Sequence, residues 1–589
     1  MPPLELLHLP PELLIHILHS LSAKDLLLSV QLVNVYLHDL VRGASILQYI
    51  IEVFHAGFED NAYSNTVYAE RLHTLRQSET SWNNIDPVRK STLVVSHPTS
   101  GLYDLSAGIY VVGERGQGRR STALRYTYLP SNSGRAPWKK IDVGPERHII
   151  DFGISVREHD LIALVTAKTK QDGTGDNVIE LILLQLSTGK KHPLAKEHII
   201  IVREQSAIHS QPSVMLEIVG SHLALMLSHL QERSMEAFYI YTWQTGQQKA
   251  SMFPSLPYYQ GFIFLNEDVI LLPNTVDKRM EIYTISEDAI VPHCFLDLPS
   301  LAHRHFIWQF TCRCEPNPVG KGAPSKTTHE EKEPPFISTP DDAIAVFKMT
   351  IASDAGTSTC SFVAHRSALL KFLSDKPKAF TSYQSSRQPI HITISPESVP
   401  WKEWGPSTTR WFGEEDAAHG YITVTAGQRF VSIDGSRFVG QDDDDEDDEP
   451  APLTIRDFNA RNIARYIHHT QPKDDPVEDC RDEDLPDLIT IQEDDPVEHS
   501  PDDDYMSDDE PTIRDPPVPR PGRRLVMRPS VLRPRAVFEE NFYSQLPYLE
   551  TVSETKHKYS AVLMDEDRIL GLMVRNYNYF LKICLIDLS

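Results

Sequence analysis

Four stretches of the chain repeat one degenerate pattern, in which an acidic or histidine-bearing turn runs straight into an apolar strand. They are Glu158-His159-Asp160-Leu161-Ile162-Ala163-Leu164-Val165, Gly220-Ser221-His222-Leu223-Ala224-Leu225-Met226-Leu227, Asn266-Glu267-Asp268-Val269-Ile270-Leu271-Leu272 and, with the poorest fit, Asp565-Glu566-Asp567-Arg568-Ile569-Leu570-Gly571-Leu572. A second apolar strand follows each, over 178–186, 238–242, 280–285 and 580–586, and two of these end in the turns Ser187-Thr188-Gly189-Lys190 and Gln244-Thr245-Gly246-Gln247. Such pairs are antiparallel hairpins. A lone hairpin leaves open edges, so recurrence at roughly 40 to 60 residues predicts hairpins stacked side by side around a ring.

That arrangement is a β-propeller with loop insertions, and the alternative is a pair of β-sandwiches. The Trp-Asp and Gly-His signatures of WD repeats are absent, so the likeness is to propellers in general. Strand-like patterning begins near residue 91 with Leu93-Val94-Val95, then 108–113 and 124–129. The expected β-propeller-like region is 91–440, interrupted by a Pro, Lys and Glu-rich loop over 315–340. Residues 441–452 form an acidic disordered tract, 453–471 a short ordered return, and 472–535 a disordered insert rich in acid, proline and arginine. The segment 536–589 is the expected closing β-segment of the same domain, its last strand pairing with an early blade.

The formal charge of −25 belongs to one region. Between Asp442 and Asp515 there are 28 Asp and Glu against 6 Lys and Arg, leaving the remainder close to neutral. No basic surface for nucleic acid is expected. No stretch reaches the length of a membrane-spanning helix, so no membrane partner is expected either. Six cysteines at 294, 312, 314, 360, 480 and 584 show no framework spacing, which suits a reducing compartment, cytoplasm or nucleus.

The N-terminal residues read differently. Pro10 and Pro11 suit a helix start and Glu12 adds a negative charge to the first turn. Leu13, Leu14, Ile17, Leu18 and Leu21 then form a helical stripe, and Ser22 with Asp25 forms a capping-box variant that starts a second helix near residue 23. A third helical stretch is expected over 31–42, with Leu32, Val33, Tyr36, Leu37, Leu40 and Val41 on one side, and 46–54 continues the pattern. Residues 56–90 read as a helical linker. Helices this short cannot bury so many large side chains among themselves, so some of the surface needs a partner or the next domain.

The run Leu9-Pro10-x-Glu12-Leu13-Leu14-x-x-Ile17-Leu18-x-x-Leu21-x-x-x-Asp25-Leu26 resembles the F-box, over roughly residues 5 to 45 of a helical domain spanning 1–55. The resemblance implies docking on the Skp-type adaptor of a cullin-RING ubiquitin ligase. Its implied contacts are Leu9, Pro10, Leu13, Leu14, Ile17, Leu18, Leu26, Val30 and Val33. Many F-boxes continue with cysteine, a basic residue and an aromatic; this chain has Asn34, Val35 and Tyr36, so only the apolar contacts carry over. The expected fold class is a small all-α module plus a large, mainly-β, propeller-like domain.

Catalytic chemistry is not marked. Gly113-x-x-Gly116-x-Gly118 lies between two strands and is not followed by Gly-Lys-Ser/Thr, so it reads as a solvent hairpin. No Gly-x-Ser-x-Gly elbow exists. His303, His305, Cys312 and Cys314 are soft ligands on alternate residues, without the turn spacing of structural zinc sites, and read as partly buried strand residues around Phe306, Trp308 and Phe310. No cofactor and no metal are expected. Ser507, within Tyr505-Met506-Ser507-Asp508-Asp509-Glu510, is a candidate phosphosite for an acid-directed kinase. The arginines of 520–535 are read as an import patch or as neutralisers of the neighbouring acid. The expected function is a non-catalytic substrate receptor that binds the adaptor through its helices and a client protein through its β-domain. The alternatives are a scaffold without a ligase and a propeller enzyme.

Overall fold

The computed structural model describes residues 6–588 except 31–32, 117–119, 130–136, 230–235, 254–258, 322–333, 355, 374–395, 414–422, 434–449, 471–521, 533–536 and 575–580. Its larger strands form antiparallel sheets whose internal order follows the chain. Among the described residues six such sheets make up the seven blades of a propeller, one eight-stranded sheet spanning blades 2 and 3 through the single pair Ser121↔Ile149. Blade 1 joins the early strand Arg89–Val95 to the C-terminal strands Ala561–Met564, Arg568–Val574 and Leu581–Asp587. Blades 2 to 5 occupy 99–142, 147–205, 213–252 and 263–297, with four sequential strands each, and Glu397–Val399 adds a parallel strand to blade 5. Blade 6 is built from Phe306–Cys314, Ile344–Ser353, Gly356–His365 and Thr409–Phe412. Blade 7 takes Thr425–Ala426, Arg429–Ile433, Ala451–Asp457 and Tyr548–His557, with Gly522–Val526 as a fifth, outer strand.

The continuous apolar runs of the repeat have a direct cause. In blade 3, Leu161, Ala163 and Val165 pack against blade 4, while Ile162 and Leu164 pack towards blade 2. In blade 4, Leu223, Leu225 and Leu227 face blade 3, and Ala224 and Met226 face blade 5. In blade 5, Ile270 and Leu272 face blade 4, and Val269 and Leu271 face blade 6. A strand buried on both faces shows no polar alternation, because the period-2 pattern places every residue against one neighbour or the other. A mixed core of Val346, Val363, Phe430, Ile455, Val562 and Ile586 joins blades 6, 7 and 1, and Leu93, Leu105, Val112 and Leu570 join blades 1 and 2. The ring is therefore complete. It is closed by hydrogen-bonded pairing of Arg89–Val95 with Leu581–Asp587, in register from Arg89↔Asp587 to Val95↔Leu581.

Ahead of the ring lie α1 (Pro11–Leu18), α2 (Ala23–Asp25, continued by a π turn over Leu26–Val30), α3 (Val35–Gly43), α4 (Ser45–Ala56) and α5 (Tyr68–Asn84). Ser22 Oγ accepts from Asp25 N at 3.1 Å and donates to Asp25 Oδ2 at 2.7 Å, so the capping pair forms. Of the expected 31–42 stretch, residues 31–32 lie outside the described residues, and a helix is described over Val35–Gly43. Asn34 Oδ1 accepts from Tyr36 N at 2.7 Å, and this cap fixes the start at Val35.

Other expectations change as well. Residues 56–90 are not a spacer: Phe58–Asp60 pairs with Phe336–Ser338 from the long connection inside blade 6, and Trp82, near the end of α5, is buried with the blade 7 core. Part of the 315–340 loop is thus a strand. The 472–535 insert contains the paired strands Gly522–Val526 and Ser530–Leu532, because Arg524 finds Glu550 and the backbone of Arg523 and Leu525 finds Tyr548–His557. The acidic tract ends before Ala451, which begins a strand. Within 453–471 the strand Ala451–Asp457 leads to a further helix, α6 (Ala460–Thr470). Gly118, Cys480, Ser507 and all the acidic residues between Asp442 and Asp515 except Asp457 lie outside the described residues.

Candidate interaction surfaces

The inner strand of every blade runs towards one face of the ring, where it turns into the second strand. The repeat's acidic turns all lie on this face. They act as staples: Glu158 Oε2 accepts from Gly220 N at 3.1 Å, Glu267 Oε1 accepts from Ser221 N at 3.0 Å, and Glu566 pairs with Arg157. The segment after the blade 6 inner strand crosses the same mouth, with Gly320 N donating to Glu158 Oε1 at 2.8 Å and Lys321 N to Glu267 Oε2 at 2.7 Å. A Cβ at Gly320 would collide with Gly220 Cα and the Glu158 carboxylate. Gly320→Ala is therefore expected to lift this segment from the mouth and lower the melting temperature by several degrees, measured by calorimetry.

A charged network crosses the channel just inside. Arg313, from blade 6, reaches Asp104 of blade 2 at 2.9 Å, Glu217 of blade 4 at 3.1 Å and Glu315 at 2.6 Å, and Asn317 donates to Glu217 at 2.7 Å. Burial pushes Glu315 up, and it pushes Asp151 of blade 3 from the ordinary aspartate value to about 7, against a backbone hydrogen bond from Phe152. A carboxyl raised on folding adds stability below its unfolded pKa and loses it as pH rises through the folded value. Asp151→Asn should accordingly raise the melting temperature at pH 8 and much less at pH 5. The window runs from about 4 to about 7, and each unit is worth at most about 1.4 kcal/mol.

On the same face the helical module is held by several contacts. Tyr49 Oη lies 2.9 Å from Asp60 Oδ1 and 2.8 Å from Pro335 O, its single proton shared between the two acceptors, and Phe58 packs on Phe336 with ring centroids 5.0 Å apart. Gly57, at φ +75°, ends α4 in the left-handed conformation that glycine tolerates. The end of α4 is capped from blade 7: Arg461 donates to Phe54 O at 2.9 Å and Asn459 to His55 O at 2.8 Å. Arg71 is buried, paired with Asp60 and donating to Ser64 O at 2.5 Å, Thr66 O at 2.8 Å and Asn61 O at 3.2 Å. Arg71→Ala leaves three carbonyls and a carboxylate short of a donor, with an expected cost of about 3 kcal/mol, readable as a lower urea midpoint.

The outer face of the module is apolar. Leu6, Leu7, Leu13, Ile17, Leu28, Val33, Val35 and Tyr36 are exposed, with Leu13 at 50%, Ile17 at 42% and Val33 at 75%. The nine residues that the F-box resemblance marks as contacts divide into two groups. Pro10, Leu13, Ile17 and Val33 are exposed and Leu9 and Val30 half-buried, whereas Leu14, Leu18 and Leu26 are buried in the module. Leu18 and Leu26 pack with Leu37, Val41, Leu47 and Ile51, so their role in this structure is to hold the helices together. Leu6, Leu7, Leu28, Val35 and Tyr36 extend the surface beyond the sequence motif.

The opposite face of the ring, where outer strands pass to the next blade, carries a second exposed apolar set. Phe253, Val276, Phe306 and Trp308 lie there on blades 4 to 6. Of the aromatics around the His and Cys set, Phe306 and Trp308, at 50% and 62%, are exposed, and only Phe310 is in the core. Cys312 and Cys314 are buried, and Arg366 donates to Cys314 Sγ at 2.9 Å, whereas His303 is an exposed loop residue. The cysteines and histidines are thus not brought together.

No family model matches the chain, and no curated protein sequence does. Among solved structures, the chain is similar to the WD40 domain of SCAP from fission yeast, at 6% identity and a TM-score of 0.31, covering 83% of this chain and 82% of that one. It is similar to BamB from Moraxella catarrhalis at 9% identity and a TM-score of 0.29, covering 84% and 98%. Against Hsv2p of Kluyveromyces lactis the values are 10% and 0.23, covering 34% of this chain and 62% of that one. At such scores the propeller assignment stands on the strand registers and blade interfaces of this chain itself.

Proposed function

We propose that this chain is a substrate-receptor subunit of a Skp-cullin-F-box type ubiquitin ligase, with the helical module bound to the adaptor and the propeller bound to a client protein. The supporting observation is the row of exposed large apolar side chains between Leu6 and Tyr36, on a module already anchored to the ring by its other side. A surface of this kind calls for a partner. The module sits on the face bearing the acidic turns, which leaves the face bearing Phe253, Phe306 and Trp308 open to a client. The receptor performs no bond chemistry; it raises the effective concentration of client lysines near the charged ubiquitin carrier.

The test uses Leu13→Asp with Ile17→Asp, because both side chains are exposed and their loss leaves the module core intact. Each buried leucine or isoleucine contributes roughly 1.5–3 kcal/mol, so the pair should weaken capture of a purified Skp-type adaptor at least about a hundredfold. Equal capture by the intact and variant chains, or capture by neither, sinks the ligase reading and favours a scaffold.

A further inference from the structure

Where the segment after the blade 6 inner strand crosses the mouth, it leaves a cavity of about 180 Å³ between itself and the ring. The walls are apolar: Leu105 of blade 2, Ile154 of blade 3, Ile218 of blade 4, Ala426 of blade 7 and Met564 of blade 1, all buried. Pro316, Pro318 and Val319 of the crossing segment complete the lining, and Val319, at 49% exposure, marks the opening to solvent.

Ser155, Ser338 and Thr425 add hydroxyls to this lining, at 9%, 7% and 0% exposure. None of the three makes a side-chain hydrogen bond among the described residues. Ser155 gives no cap bond to the short helical turn Val156–His159, and Thr425 Oγ1 is buried without a partner. A buried hydroxyl without a partner costs free energy, and packed interiors avoid it. Three around one apolar cavity point to a partner that the chain itself does not supply.

The charges around the cavity are engaged. Arg157 pairs with Glu566, Glu315 lies 2.6 Å from Arg313 and Asp565 3.6 Å from Arg568, and Glu158 accepts from Gly220 N and Gly320 N. A charged guest would have to break one of these arrangements or be buried without a counterion. An uncharged guest meets apolar walls and hydroxyls that can donate or accept. Its size follows from the volume: a dry apolar cavity of about 150 Å³ holds benzene, so this one takes a single ring with a small substituent.

We propose that this cavity binds an uncharged single-ring compound carrying a hydroxyl or carbonyl group, with the ring against the apolar walls and the oxygen on Ser155 and Ser338. The site is independent of adaptor docking. The probe is para-cresol, titrated by calorimetry onto the full chain at neutral pH, beside toluene, para-toluate and para-methylbenzylamine, which share its ring and methyl group. Para-cresol should bind saturably and at least about tenfold tighter than each of the other three. Val319→Trp, at the exposed opening, should weaken it about tenfold or more and leave the melting temperature of the free chain unchanged. Ser155→Ala with Ser338→Ala should weaken it to a similar degree without lowering that melting temperature, because neither hydroxyl has a bond to lose. Absence of saturable binding overturns the proposal and leaves the hydroxyls to water. Affinity unaltered in both variants also overturns it, as does binding of toluene or para-toluate within about twofold of para-cresol.

Discussion

A chain ending at residue 580 is expected to show no cooperative melt and no folded β-domain. The missing strand, Leu581–Asp587, lies between Arg568–Val574 and Arg89–Val95, so its loss removes the pairing that closes blade 1 and exposes two edges at once. It also removes Ile583, Leu585, Ile586 and Leu588, each at or below 1% exposure. At roughly 1.5–3 kcal/mol apiece these four contribute at least about 6 kcal/mol. That is comparable to the whole stability of a typical domain. Circular dichroism against temperature reads the outcome, and a sharp two-state transition in the truncated chain contradicts it. Supplying the last strand as a free peptide should restore part of the transition, because the gap has a defined register.

Arg313→Met is expected to have the second largest effect. The substitution leaves Asp104, Glu217 and Glu315 in the channel without their shared cation, and breaking a buried pair of this kind costs roughly 3–5 kcal/mol. The cause is the uncompensated charge and not the lost packing. Adding Asp104→Asn and Glu217→Gln to Arg313→Met should therefore recover most of the stability. Urea midpoints of the single and triple variants decide the matter. A triple variant as weak as the single one places the effect in packing instead.

Legibility in the sequence followed the chemistry of burial. Blades 3, 4 and 5 are visible because each second strand is packed on both sides, which makes 161–165, 223–227 and 269–272 unbroken apolar runs. Blade 7 is hidden: its outer strand Gly522–Val526 sits in arginine- and proline-rich sequence, and the buried Glu550 that the largely exposed Arg524 pairs with is far off in sequence. The acidic turns were readable as a repeat, yet their role as staples was not, since the donors on Gly220, Ser221, Gly320 and Lys321 are backbone groups that no composition reveals. Arg313 lies between two cysteines and, Glu315 apart, carries no local sign that two other segments supply its partners. In the helical module the stripe of Leu14, Leu18 and Leu26 was legible as apolar. Which of its members turn inward depends on α3 and α4 covering them.

Hydrogen exchange of the full chain with and without a purified Skp-type adaptor tests the central claim most directly. Slowed exchange is predicted at residues 6–36 on adaptor binding, with the propeller face bearing Phe253, Phe306 and Trp308 unchanged. Protection on that face with none in the module, or no protection anywhere at saturating adaptor, contradicts the account.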